Sequence, residues 1–277
     1  MTISSCMRAD LLAGFSECWR RILLVMGIGM TVIGLWLLEA KGFGYDNLDF
    51  TLGDTLSACL GGIEVFDPER DLRFRLPSAW LLTLLSICFV TSTYPYRDLM
   101  GFGRNLLISS GSRWRWWLSK CTWVTVTALT SCLALILVCA AFSLLLGGDL
   151  SLSLGKEAAD SMRIWVDSGQ SRHLLGFALC WLCAVPSVCL LQLVLSLAIK
   201  PVLSFGATGL VLLMSAYYFS PLLLGNYIMV ARTRSIIASG TSPLAGIALS
   251  ILIAGASVVI GGTFFSKLDC MDKEYSA

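Results

Sequence analysis

Histidine is almost missing: His173 is the single one among 277 residues. A histidine-rich metal centre and any catalysis that needs two imidazoles are therefore excluded. A Ser–His–Asp triad would have to use His173, which lies at the edge of an apolar run and reads as an interfacial polar group. Charge is scarce as well. Asp, Glu, Lys and Arg make up 14% of the chain, against about 25% in soluble domains. No G-x-x-x-x-G-K-[ST] occurs, so the chain has no P-loop to cradle ATP phosphates. "GFGRNL" at Gly101 starts like a dinucleotide fingerprint, but Leu106 stands where the third glycine belongs and no strand precedes it. No soluble domain and no internal repeat is visible.

What is present is apolar sequence. Hydrophobic residues make up 56% and the mean hydropathy is +0.78. Runs of about 18 or more apolar residues read as membrane spans. The expected fold is all-α: an integral membrane protein in which residues 1–277 form one transmembrane domain. Its six spans are placed at about 22–38, 77–94, 119–146, 174–199, 202–220 and 244–266. Pro186 predicts a kink in the fourth. Before the first span, Met7, Leu11, Phe15 and Trp19 recur at i+4, which predicts a surface amphipathic helix over 6–21. Residues 39–75 and 147–172 are polar loops, the first rich in acid. Residues 221–234 hold "LLLGNYIMVA", too short to cross and read as re-entrant or interfacial.

Eleven cysteines look like many, but most lie in or beside apolar runs, where cysteine behaves as a small hydrophobe. Cys180 and Cys183 form a C-x-x-C inside a helix with no second ligand pair, so neither a metal nor a redox site is expected.

Six spans place both termini on one side. If that side is the cytoplasm, the inner segments hold 11 basic and 6 acidic residues, and the outer ones 9 basic and 12 acidic. That bias orients the termini inward. The interiors of the spans lack Asp, Glu, Lys and Arg, which argues against a proton relay or a charge-selective channel. A path through such a protein suits a hydrophobic or amphiphilic molecule.

The basic surplus concentrates in "PYRDLMGFGRNLLISSGSRWRWWLSK", Pro95 to Lys120. Tyr96, Leu99, Met100, Gly103, Leu106 and Leu107 form an apolar helical stripe, with Arg97, Asp98, Arg104 and Asn105 around it. Ser109-Ser110-Gly111 ends that helix. Arg113, Trp114, Arg115, Trp116, Trp117 and Lys120 then read as an anchor at the lipid headgroup level.

The order of a surface helix, a span, an acidic outer loop, a span, a short inner helix and four further spans resembles ABC exporter permeases of the type 2 class. The string "YPYRDLMGFGRNLLISSGSRWRWWLSK" is similar to the same region of a bacterial permease group, which shares a Y-P-Y-[RK]-D-L-x-G-[FY]-G start and a W-W-x-S-K end. The resemblance implies that residues 6–21 are an elbow helix and that "SPLLLGNYIMVARTR" is an outer re-entrant hairpin. It implies that residues 95–110 are a coupling helix docking on a separate ABC ATPase, with contacts from Tyr96, Arg97, Asp98, Leu99, Met100, Arg104, Leu106 and Leu107. ATP and magnesium would bind that partner, with no cofactor in this chain. A second permease copy or homologue would complete the path in a bacterial plasma membrane, among lipids and without nucleic acid. The implied function is export of a peptide, lipid or drug, without enzymatic activity of the chain's own. The outer loops depart from the class in showing no recognisable substrate domain. The alternative is a non-transporting membrane sensor, immunity or scaffold subunit.

Overall fold

A computed structural model describes residues 3–43, 50–66, 69, 73–100 and 112–267. All regular secondary structure among them is helical, with three isolated β-bridges. The order is α1 (Ile3–Gly42), α2 (Leu52–Leu60), α3 (Ser78–Ser92), α4 (Tyr94–Met100), α5 (Arg113–Leu145), α6 (Lys156–Ser161), α7 (Leu175–Ile199), α8 (Pro201–Tyr217), two 3-10 turns (Leu224–Ile228 and Val230–Arg232) and α9 (Pro243–Lys267). Five helices are long and apolar enough to cross a membrane: α1, α3 continued through α4, α5, α7 and α9. The fifth expected span is the shorter apolar helix α8, and Pro186 sits inside an unbroken α7.

One expectation is corrected. No separate surface helix precedes the first span, because α1 runs as a single helix of 40 residues, about 60 Å. The cause lies in its inner face. Asp10, Gly14, Cys18, Ile22, Val25, Gly29, Ile33, Trp36 and Ala40 are all buried, at steps of three or four residues, so one seam continues past the supposed break at residue 21. Phe15 and Trp19 of the expected apolar stripe lie on the outside of the bundle. Helix α1 packs along α5, itself 33 residues long, and Gly14 lets the Trp123 indole reach the α1 backbone: a Cβ there would sit 2.0 Å from its Nε1.

At the far end of α1, the two polar loops are laced together. Thr51 caps α2 in a reciprocal box: its hydroxyl accepts from Asp54 N at 3.1 Å, and Asp54 Oδ2 accepts from Thr51 N at 3.0 Å. The other Asp54 oxygen accepts from Gly155 N at 2.8 Å, and backbone bonds join Leu52 to Asp149 and Gly53 to Ser151. Gly53 is needed there, since a Cβ would meet the Ser153 carbonyl oxygen at 2.3 Å. Burial pushes the Asp54 carboxyl above its usual range, against the pull of these hydrogen bonds. This member of the acidic loop is thus a structural cap.

Candidate functional site

The site begins with α4. Its N-terminal backbone is fixed by Arg97 N donating to Thr93 O, so α4 follows α3 after a single non-helical residue. Leu99 turns inward and joins the hydrophobic core, at 6% exposure. Tyr96 and Asp98 are half-buried and Arg97 is exposed. The stripe expected to face a partner therefore loses Leu99 to the bundle. Arg104, Leu106 and Leu107, with Gly103 and Asn105, lie outside the described residues, as does the Met100 side chain.

Beneath α4 lies a largely enclosed charge cluster centred on a fully buried lysine. Lys120 of α5 is 0% exposed, and its Nζ stands 2.6 Å from Asp10 Oδ1 of α1 and 2.6 Å from Asp98 Oδ2 of α4. Ser119 Oγ donates to the other Asp10 oxygen, and the Tyr94 hydroxyl reaches Asp10 Oδ1 at 3.5 Å. The ammonium also lies over the Tyr94 and Trp116 rings, at 4.9 and 5.1 Å from their centroids. Tyr94 in turn stacks at 4.4 Å on Trp123. One cation thus ties three helices, and two carboxylates share it. Enclosed ions need their partners: removing one member of such a pair commonly costs about 3–5 kcal/mol.

Two further links join α1 to the start of α4. Arg21 donates to the Thr93 hydroxyl and lies over Phe89, and Arg97 pairs with Glu17 at 2.7 Å. The Arg97 side chain is 64% exposed, so that last pair contributes only about 0–1 kcal/mol.

The tryptophan cluster requires a second correction. Trp116, Trp117 and Lys120 do not anchor to lipid; they are buried in the protein. The reason is the glycine pair on α9. A Cβ on Gly261 would lie 2.2 Å from Trp117, and one on Gly262 would lie 2.4 Å from Trp114. Trp117 Nε1 donates to Val258 O at 2.8 Å, Trp116 stacks on Phe265 at 4.7 Å, and Arg113 reaches Ser266 O at 2.8 Å. Only Arg113, Trp114 and Arg115 keep exposed surface suited to a headgroup contact.

A second polar centre lies toward the other end of the bundle. Arg232, 1% exposed, uses all five of its N–H groups: on Ile63 O, Glu64 O, Ser215 O, Ala216 O and Asn226 Oδ1. Burial pulls its guanidinium down to about 10, still protonated at neutral pH. Ser215 and Ala216 are in the last turn of α8, whose carbonyls lack partners within the helix. Arg232 caps that end, where a cation also suits the helix dipole, and Asn226 Nδ2 adds the Tyr218 and Ser220 carbonyls. The apolar piece containing these turns is buried against α7, α8 and α9 rather than forming a long helix.

Asp10, Tyr94, Ser119 and Arg232 escaped the sequence reading. Asp10 carried a usable signal, because it shares the i+4 register of Gly14 and Cys18. Arg232 carried none, since its acceptors are backbone groups of distant segments. Among the described residues no cluster of three or more His, Cys, Asp or Glu could hold a metal, and eight of the nine cysteines between Cys18 and Cys189 are buried.

Residues 59–270 match the family described as "Protein of unknown function (DUF2705)". The chain belongs to that family. Its matched region starts near the end of α2 and takes in α3 to α9, so it includes Asp98, Lys120 and Arg232 but leaves Asp10 before its boundary. No curated protein and no solved structure matches the chain.

Proposed function

We propose that the chain is the membrane subunit of an ATP-driven exporter, crossing the membrane six times with both termini in the cytoplasm. In this reading it lines the path of a hydrophobic or amphiphilic cargo, pairs with a second permease, and takes its energy from a separate ABC ATPase that holds ATP and magnesium. The supporting observation is the Lys120 cluster. A helix that receives a push must not slide against the bundle, and α4 is fastened to α1 and α5 by an enclosed ion network. Tyr96 and Arg97 remain accessible for a partner.

The test is co-purification of the chain with ATPase subunits and measurement of hydrolysis with and without it. Stimulated hydrolysis that is lost on Tyr96→Asp or Arg97→Glu, with the permease still inserted, is the expected result. An ATPase that binds the variants fully refutes the coupling role of α4. A partner that binds without any change in hydrolysis points to a sensor or scaffold subunit. Orientation is checked separately: Ser110→Cys should resist an impermeant thiol reagent in intact cells, and its labelling refutes the topology.

A further inference from the structure

A polar pocket of about 460 Å³ opens at the end of the bundle remote from α4. Trp36 on α1 donates to Ser161 of α6 beside it, and Trp36 lies about 39 Å along α1 from Asp10. The lining includes Glu64, Lys156, Asp160, Arg163, Trp165 and Arg172. Three cations face two acids there. One acid is already engaged, because Glu64 Oε1 accepts from Trp165 N at 2.7 Å. None of the three cations forms an ion pair among the described residues; Arg163 only lies over the Phe43 ring at 5.9 Å. Trp165 is 68% exposed, an unusual position for an indole, and its Nε1 donates to Asp167 Oδ1 at 3.2 Å.

The backbone at two of these positions suits glycine, which provides substitutions that remove charge without strain. Only three non-glycine residues among those described have positive φ, and two of them are Arg163 (58°) and Arg172 (54°). Side chains disfavour this left-handed conformation, and glycine is the residue that adopts it without strain. Arg163 is the left-handed residue that closes α6, its N–H on Asp160 O at 3.0 Å and the Ile164 N–H on Ala159 O at 2.8 Å, and both arginines line the same pocket.

We propose that this pocket binds a phosphate group carried on an apolar body, with Arg163, Arg172 and Lys156 on the anion and Trp165 against the apolar part. The volume suits a small ligand head rather than a folded partner. A lipid headgroup and a soluble phosphate ester share this chemistry.

The test uses the full chain in detergent and dodecyl phosphate as probe, followed by equilibrium dialysis and by the fluorescence difference between wild type and Trp165→Phe. Saturable binding is expected, with dodecyltrimethylammonium at least tenfold weaker. Arg163→Gly and Arg172→Gly are the decisive variants. Each removes a cation while fitting the left-handed backbone, so each should lower affinity about tenfold and leave the melting temperature equal or higher. Binding unchanged in the Arg163→Gly/Arg172→Gly double variant overturns the proposal, as does equal binding of the cationic probe. The source is separated by two arms: competition by inorganic phosphate marks a soluble ester, whereas protection of Trp165 from quenching only in phosphatidylglycerol nanodiscs, not phosphatidylcholine ones, marks a lipid. Absence of binding in every arm also overturns it.

Discussion

Replacing Lys120 by methionine keeps much of the side chain's volume and removes only its charge and donors. Asp10 would retain the Ser119 hydroxyl and the distant Tyr94 hydroxyl, whereas among the described residues no hydrogen-bond donor other than the ammonium is within reach of Asp98 Oδ2. Two carboxylates would then face each other in an enclosed site. The expected loss is about 3–5 kcal/mol, the cost of orphaning a buried charge. At about 2–4 °C per kcal/mol for a chain of this size, the melting temperature should fall by roughly 6–20 °C. Asp98→Asn in the same background removes one orphaned charge and should restore part of the loss. Arg97→Ala, which breaks only the exposed pair with Glu17, should cost about 0–1 kcal/mol. The assay is thermal unfolding in detergent, followed by tryptophan emission. If Lys120→Met melts with wild type, or if Arg97→Ala costs as much, the cluster does not hold α4 and the argument built on it fails.

Arg232→Lys offers at most three donors to five acceptors, so two or more buried oxygens lose their partner, and a loss of about 2–4 kcal/mol is expected in the same unfolding assay; wild-type stability would refute the cap. On α9, Gly261→Ala should destabilise by about 1–3 kcal/mol because Trp117 occupies the space, while Gly255→Ala, with nothing within 4 Å, should be neutral or stabilising by up to about 1 kcal/mol; equal effects would refute the close approach. The raised Asp54 carboxyl takes up its proton at higher pH in the native state than in the unfolded chain. Its contribution is therefore full below the unfolded value of about 3.9 and is lost as pH rises through the native value. The stability of wild type relative to Asp54→Asn should accordingly improve as pH is lowered from about 7 to about 4, and a difference that does not change with pH refutes the burial.

The long apolar helices were legible in the sequence because hydropathy reports them directly, and the positions of α3, α5, α7 and α9 follow from it. The inner face of α1 was harder to read. Periodicity pointed to the apolar stripe of Met7, Leu11, Phe15 and Trp19 as a membrane-surface face, whereas the face that packs is built from Asp10, Gly14 and Cys18, two of them small and one charged. The tryptophan cluster failed for a related reason. Trp116 and Trp117 have the composition of a lipid belt, and only the approach of Gly261 to Trp117 and the stacking of Phe265 on Trp116, over 140 residues away, make them core. The Arg232 cap lay beyond sequence reasoning altogether, because four of its five acceptors are main-chain carbonyls that any residue supplies.

The clasp between α5 and α9 bears on how the protein is made. Helix α5 leaves the ribosome well over a hundred residues before α9 does. During that interval Trp117 lacks its Val258 acceptor, Trp116 lacks its Phe265 stacking partner, and Arg113 lacks the Ser266 carbonyl. A nascent chain halted before α9 therefore leaves Trp116 and Trp117 without their α9 partners at one end of the bundle, two side chains that the finished fold buries. Completion of α9 is the event that covers them, so this end of α5 reaches its final packing only with the last helix.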